Sequence, residues 1–98
     1  MYLIRDVFKA KPGKARELVA KFKAAIPYFE QTEGGKNYRV MTDVVSTYWT
    51  VVIESDVEDV GDFIGKLRGA TVGKEISEIM KGYMDLVEGG YREIFLLE

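Results

Sequence analysis

"YLIRDVFKAKPGKARELVAKFKAAIPYF", residues 2–29, carries two periodicities separated by one turn. From Tyr2 to Ala10 the side chains alternate. Leu3, Arg5, Val7 and Lys9 fall on one side; Tyr2, Ile4, Asp6, Phe8 and Ala10 fall on the other. A repeat of two residues marks a strand, because successive side chains leave opposite faces of the pleat. Over 14–31 the apolar groups recur instead at 15, 18, 19, 22, 25, 26 and 29, which is the stripe of an amphipathic helix. "KPGK", residues 11–14, joins the two, with Pro12 suited to a first helical turn. Pro27 lies inside the helical pattern, removes the bond to the carbonyl of Lys23 and bends the last turn.

Working outward, "TEGGKN" at 32–37 ends that helix. Strands are expected over 38–45 and 48–55. The segment between them, "VVSTYW" at 44–49, has no strong turn signal, so the hairpin is inferred from its flanks. "DVED" at 56–59 opens a second helix with Asp56 or Ser55 as N-cap, and apolar residues at 57, 60, 63, 64 and 67 mark its buried face. A further helical stretch over 74–88 carries Ile76, Ile79, Met80, Tyr83 and Val87, with Gly89-Gly90 as its stop and "YREIFLL" as the last strand. The order β-α-β-β-α-β predicts one α+β ferredoxin-like domain over 1–98. Its antiparallel sheet has strand order 4-1-3-2, both helices cover one face, and the other face is open. "VGDFIGKLRGATVGKE", 60–75, spaces glycines four apart. Gly61 and Gly65 fall inside a short helix, and Gly69 and Gly73 bracket a break near 69–73. That break is either a cover over a cavity or only a bend.

Composition narrows the chemistry. The charged fraction is 31% and the apolar fraction 47%, values of a globular chain rather than a disordered one. A net charge of −2 without a Lys/Arg run gives no general attraction to nucleic acid. Cysteine and histidine are both absent. Their absence removes disulfides, thiolate or imidazole metal sites, and a serine–histidine triad. Acid–base chemistry would have to use a carboxylate, lysine or tyrosine. No cofactor is implied. "DVEDVGD" at 56–62 lacks the ligand spacing of a calcium loop and reads as negative charge at a helix N-terminus. The opening "MYLIRDVF" lacks the continuous apolar run of a signal peptide, and no stretch approaches a membrane span, so the expected location is the cytoplasm.

Three segments carry a family likeness: "FKAKPGKARELVAKF" (8–22), "MTDVVSTYWTVVIESDVEDVGDF" (41–63) and "LVEGGYREIF" (86–95). They resemble the opening strand–turn–helix, central hairpin and closing strand of dimeric α/β-barrel proteins, in particular the NIPSNAP-like branch. The resemblance implies a homodimer in which two ferredoxin-like subunits pair through their open sheet faces into a barrel. It also implies a superfamily of small-molecule binders, lactone isomerases, haem-handling proteins and antibiotic-biosynthesis-type monooxygenases that use no metal or flavin. Haem handling that relies on histidine has no counterpart here, and Asn37 and Trp49 alone do not rebuild such a site. The matching segments are structural punctuation and contain no catalytic signature.

The candidate site residues are Arg5, Arg39, Trp49, Glu54 and Tyr83. In the 4-1-3-2 order Arg5 and Glu54 are cross-strand neighbours on the face a partner would cover. With Arg39, and with either Arg92 or Glu93, they form either an ion-pair network inside a dimer barrel or a site in which Arg5 or Arg39 holds a carboxylate or enolate. Tyr38, Tyr48, Trp49, Tyr83 and Tyr91 either line an apolar cavity or serve core and interface packing. Glu54, Asp6 and Asp43 are the strand carboxylates available as a base. Three functions remain open: a small-molecule-binding dimer, a cofactor-independent oxygenase or isomerase, and a structural or regulatory module.

Overall fold

A computed structural model describes residues 1–32, 34–69 and 73–98. Strand β1 (Tyr2–Ala10) leads into helix α1 (Ala15–Thr32), which runs through Pro27. Strands β2 (Lys36–Thr42) and β3 (Thr50–Val57) form a hairpin. Helices α2 (Val60–Gly69) and α3 (Lys74–Ile79), a single 3₁₀ turn (Tyr83–Leu86) and β4 (Val87–Leu96) complete the chain. The antiparallel sheet has the order β2-β3-β1-β4, the expected 4-1-3-2 read from its other edge.

The alternation in β1 assigns the faces. Ile4, Phe8 and Ala10 meet the helices, together with Val51, Ile53 and Val57 of β3. Leu18, Phe22, Ala25 and Phe29 of α1 are buried against that side at helical spacing. Together with Ile76 and Leu86 they make the larger core. A smaller core joins Ile4, Val57 and Phe63, flanked by Ile64 and Leu67. Helix α2 is thus attached through one side only. Its Gly65 faces open space, so the four-residue glycine spacing does not make a packing groove.

Several sequence boundaries move. The cap of α2 is Asp59, whose carboxylate accepts the backbone N–H of Asp62 at 2.9 Å; Asp56 and Ser55 belong to β3 instead. The helix expected over 74–88 stops at Ile79. Gly82 takes φ 82, a left-handed conformation that ends helical growth. Lys21 of α1 reinforces the stop by donating to the carbonyls of Ile79 (3.2 Å) and Lys81 (2.8 Å). Gly89-Gly90 is therefore no helix stop; both residues lie inside β4, paired with Lys9 and Phe8. Helix α2 ends at Gly69 and α3 begins at Lys74; of the break expected near 69–73, residues 70–72 lie outside the described residues.

Tyr48 and Trp49 do not lie in a strand. They sit in the hairpin loop with consecutive positive φ angles of 68° and 55°. Positive φ is a conformation that glycine or asparagine adopts far more readily than a bulky aromatic, which explains why no turn signal appears. Lys9 secures the loop by donating to the carbonyls of Thr47 and Tyr48, and Ala10 N–H bonds the Trp49 carbonyl at 2.8 Å. Asp43 lies just past β2, and its carboxylate accepts the Thr50 N–H at 3.0 Å, a loop-closing role.

Candidate functional site

The five candidate residues divide among three places. Arg5, Arg39 and Glu54 come together on the open face, Tyr83 lines a cavity on the helix face, and Trp49 lies in the β2–β3 loop.

On the open face, register aligns Arg39 (β2), Glu54 (β3), Arg5 (β1) and Glu93 (β4) in one row across the sheet. Arg39 Nη2 lies 2.7 Å from Glu54 Oε1, and Arg5 Nε donates to Glu54 Oε2 at 2.6 Å. Arg5 Nη1 donates to Glu93 Oε1 at 3.1 Å. Both oxygens of the buried Glu54 are thus engaged by guanidinium groups, the arrangement that makes a desolvated carboxylate tolerable. Glu93, not Arg92, joins this row.

Arg92 points to the helix face. There it holds Asp6, with Nε to Oδ1 at 2.5 Å and Nη2 to Oδ2 at 3.4 Å, and its guanidinium lies 5.8 Å from the Phe63 ring centre. This pair stands at a cavity of about 390 Å³ between sheet and helices. Phe8, Phe22, Phe29, Tyr38, Phe63 and Tyr83 supply its rings; Ser55 and Ser77 add hydroxyls, and Leu67 and Met80 add flexible apolar wall. Phe8 and Phe22 pack with centroids 5.1 Å apart, and Phe29 and Tyr38 at 5.9 Å, so two ring pairs fix the inner wall. The cavity exists because the larger core joins the sheet to α1 and α3, while α2 hangs from the smaller one. Among the described residues nothing fills the space between the two cores.

A larger space of about 680 Å³ lies between the hairpin loop and the start of α1, lined by Ala15, Arg16, Val19, Tyr48 and Trp49 among others. Its outer wall is Val44 and Val45, 98% and 93% exposed, so a molecule there stays in water. The smaller cavity is the better site because its polar groups converge on an apolar interior.

Sequence reasoning reached Tyr38 and Tyr83 as cavity candidates. It placed Phe22, Phe29 and Phe63 on helical stripes and Phe8 on the side of β1 opposite Arg5, without assigning them to a cavity. Asp6 reads from the sequence only as a strand carboxylate; its place at the cavity and its partner Arg92 needed the register of β4.

Fold and site together define a ferredoxin-like α+β domain with an open sheet face and an aromatic cavity beneath its helices. No protein-family model matches the sequence, and no curated protein does. Solved structures share the fold. An uncharacterized NIPSNAP domain protein from Burkholderia xenovorans superposes with TM-score 0.82 at 12% identity, over 100% of this chain and 95% of that one. A NIPSNAP family protein from Agrobacterium tumefaciens gives TM-score 0.78 at 15% identity, over 99% and 92%. A putative antibiotic biosynthesis monooxygenase from Chloroflexus aurantiacus gives 0.72 at 13%, over 99% and 92%. At these identities the likeness establishes a common fold. Among the described residues no helix is long and apolar enough to cross a membrane.

Proposed function

We propose that this chain is a homodimeric α/β-barrel protein of the cytoplasm that binds a small aromatic molecule between sheet and helices. The observation that carries the reading is the cavity of about 390 Å³, walled by aromatic rings, with a guanidinium at its side. Its volume falls inside the roughly 300–1,000 Å³ typical of ligand sites. Asp6 engages two nitrogens of Arg92. The remaining donors of the guanidinium are available to a phenolate or carboxylate on the ligand. Pairing of two chains through the open faces covers Tyr91 and Phe95, which are 61% and 46% exposed.

The test is a thermal-shift screen with bicyclic aromatic acids and quinols, repeated on Leu67→Trp, which fills the cavity from α2. A ligand present at a hundred times its Kd should stabilise the protein by about 2.7 kcal/mol. The shift should vanish in Leu67→Trp. No shift with any compound, or one that survives the filling, counts against the site.

The second reading is a cofactor-independent monooxygenase or isomerase, supported by the fold shared with putative antibiotic biosynthesis monooxygenases and by a cavity suited to a quinol. Oxygen uptake with a bound quinol tests it. A structural or regulatory module with a filled interior is disfavoured by the cavity.

A further inference from the structure

Ser55 is 3% exposed, yet its hydroxyl has no hydrogen-bond partner among the described residues. An unpaired buried hydroxyl costs the fold stability, so one that opens onto a cavity is placed for a ligand atom. Ser55 shares the helix face of β3 with Val51, Ile53 and Val57, and it lines the aromatic cavity. Its Oγ lies 3.2 Å from where a Cβ on Gly35 would stand, and Tyr38 Oη lies 2.6 Å from the same point. Glycine at 35 therefore leaves room for two hydroxyls at the β2–β3 end of the cavity. The Asp6–Arg92 pair stands at the other end, on β1 and β4. Register sets the span between the two ends. Ser55 pairs with Ile4, Asp6 lies two residues further along β1, and Arg92 pairs with Asp6. Ser55 and Arg92 are thus two strands and two residues apart, about 12 Å between Cα atoms at spacings of about 4.8 Å per strand and 3.4 Å per residue. The rings of the cavity, Phe8 and Phe22 among them, give a flat apolar body a wall to pack on.

From this arrangement we infer that the ligand is a hydroxyaryl carboxylic acid whose hydroxyl lies at the end of the ring system remote from the carboxylate. The inference rests on the binding reading above and assigns the two polar ends of the ligand. The carboxylate meets the Arg92 guanidinium, which keeps N–H donors beyond the two that hold Asp6. The phenol oxygen meets Ser55 Oγ, which can both donate and accept. Ser55 is then a specificity-determining residue, and its unpaired hydroxyl gains its partner only in the complex. An acid with the hydroxyl next to the carboxylate carries both groups at one end and leaves Ser55 unpaired. A site built to hydrogen-bond a hydroxyl rejects ligands that cannot supply it there, because its own polar group is left buried and alone.

Isothermal titration with isomeric acids tests the assignment in one-ring and two-ring form. It compares 4-hydroxybenzoate with salicylate and benzoate, and 6-hydroxy-2-naphthoate with 3-hydroxy-2-naphthoate and 2-naphthoate. In the ring size that fits, the remote-hydroxyl acid should bind at least about fivefold tighter than its isomer and than the unsubstituted acid, the worth of roughly one hydrogen bond. In Ser55→Ala it should fall to the affinity of the unsubstituted acid. The unfolding midpoint of unliganded Ser55→Ala should equal or exceed that of the wild type, because the hydroxyl serves no partner within the fold; a lower midpoint overturns the assignment. The carboxylate end is read from the ligand's side, since removing Arg92 would strip Asp6 of its partner. The methyl ester of the best acid should bind at least about tenfold more weakly. An ester as tight as its acid, an adjacent-hydroxyl acid as tight as the remote one, or a preference that survives Ser55→Ala overturns the inference and leaves the binding cavity standing. Binding of quinols without any of the acids likewise removes only the acid assignment. Binding of neither class removes the cavity reading itself.

Discussion

Alanine at position 90 should harm this protein while alanine at position 89 helps it. Both glycines lie in β4, beside Phe8 and Lys9 of β1. A Cβ on residue 90 would sit 2.5 Å from the Val7 carbonyl oxygen and 3.3 Å from the Phe8 ring. The obstacle is backbone, so no rotamer change relieves it. Restoring an ordinary contact of 3.4 Å asks β4 to retreat from β1 by about 0.9 Å. A ladder hydrogen bond of about 2.9 Å stretched by that amount is lost. Two such bonds flank the site, each worth about 1 kcal/mol, and residual overpacking adds about 1 kcal/mol more. Gly90→Ala should therefore cost about 3 kcal/mol. Position 89 has nothing within 4 Å of the added carbon, so Gly89→Ala recovers roughly 0.5–1 kcal/mol of strand entropy. At 4–8 °C per kcal/mol for a domain of this size, the two variants should melt about 15 °C or more apart. Thermal and urea unfolding at one protein concentration read the difference. Equal effects at the two positions would refute the close approach of β4 to β1 and the strand assignment of the glycine pair.

Gly65→Ala should raise stability by about 1 kcal/mol, since the residue is helical and its Cβ meets nothing within 4 Å; a loss in urea titration would mean that α2 packs on that side. Tyr48→Asn should also stabilise, by about 1 kcal/mol, because Tyr48 is 79% exposed and holds a left-handed φ that asparagine adopts more easily. An unchanged unfolding midpoint would show that the tyrosine side chain itself contributes to the loop. Glu54→Gln should cost about 2 kcal/mol, less than a fully buried pair because Arg5 and Arg39 remain 32% and 49% exposed. A neutral result would show that the row contributes no stability within the subunit.

The fold was legible where periodicity changed cleanly. Residues 2–29 switch from a repeat of two to one of 3.6, and the structure follows within a residue or two. Reading failed where a backbone conformation overrode side-chain pattern. The stripe at 76, 79, 80, 83 and 87 continues past Gly82, yet Gly82 turns left-handed and Lys21 takes the exposed carbonyls from another helix. No local pattern records a cap supplied from 60 residues away. The Tyr48–Trp49 turn was hidden for the opposite reason: two bulky aromatics occupy positions that glycine or asparagine normally announces.

The site shows the same limit at the level of the sheet. Arg5 and Asp6 are adjacent in sequence, as are Arg92 and Glu93, yet each pair is divided between opposite faces. Arg5 and Glu93 complete the charged row; Asp6 and Arg92 stand at the cavity. A slip of one residue between β1 and β4 would set Arg5 beside Arg92 or Asp6 beside Glu93, placing like charges as neighbours and breaking one pairing on each face. The two ion-pair systems therefore fix a single register from both sides of the sheet. That register is what brings one arginine under the helices, beside Phe63, and leaves the other outward in the alternating row.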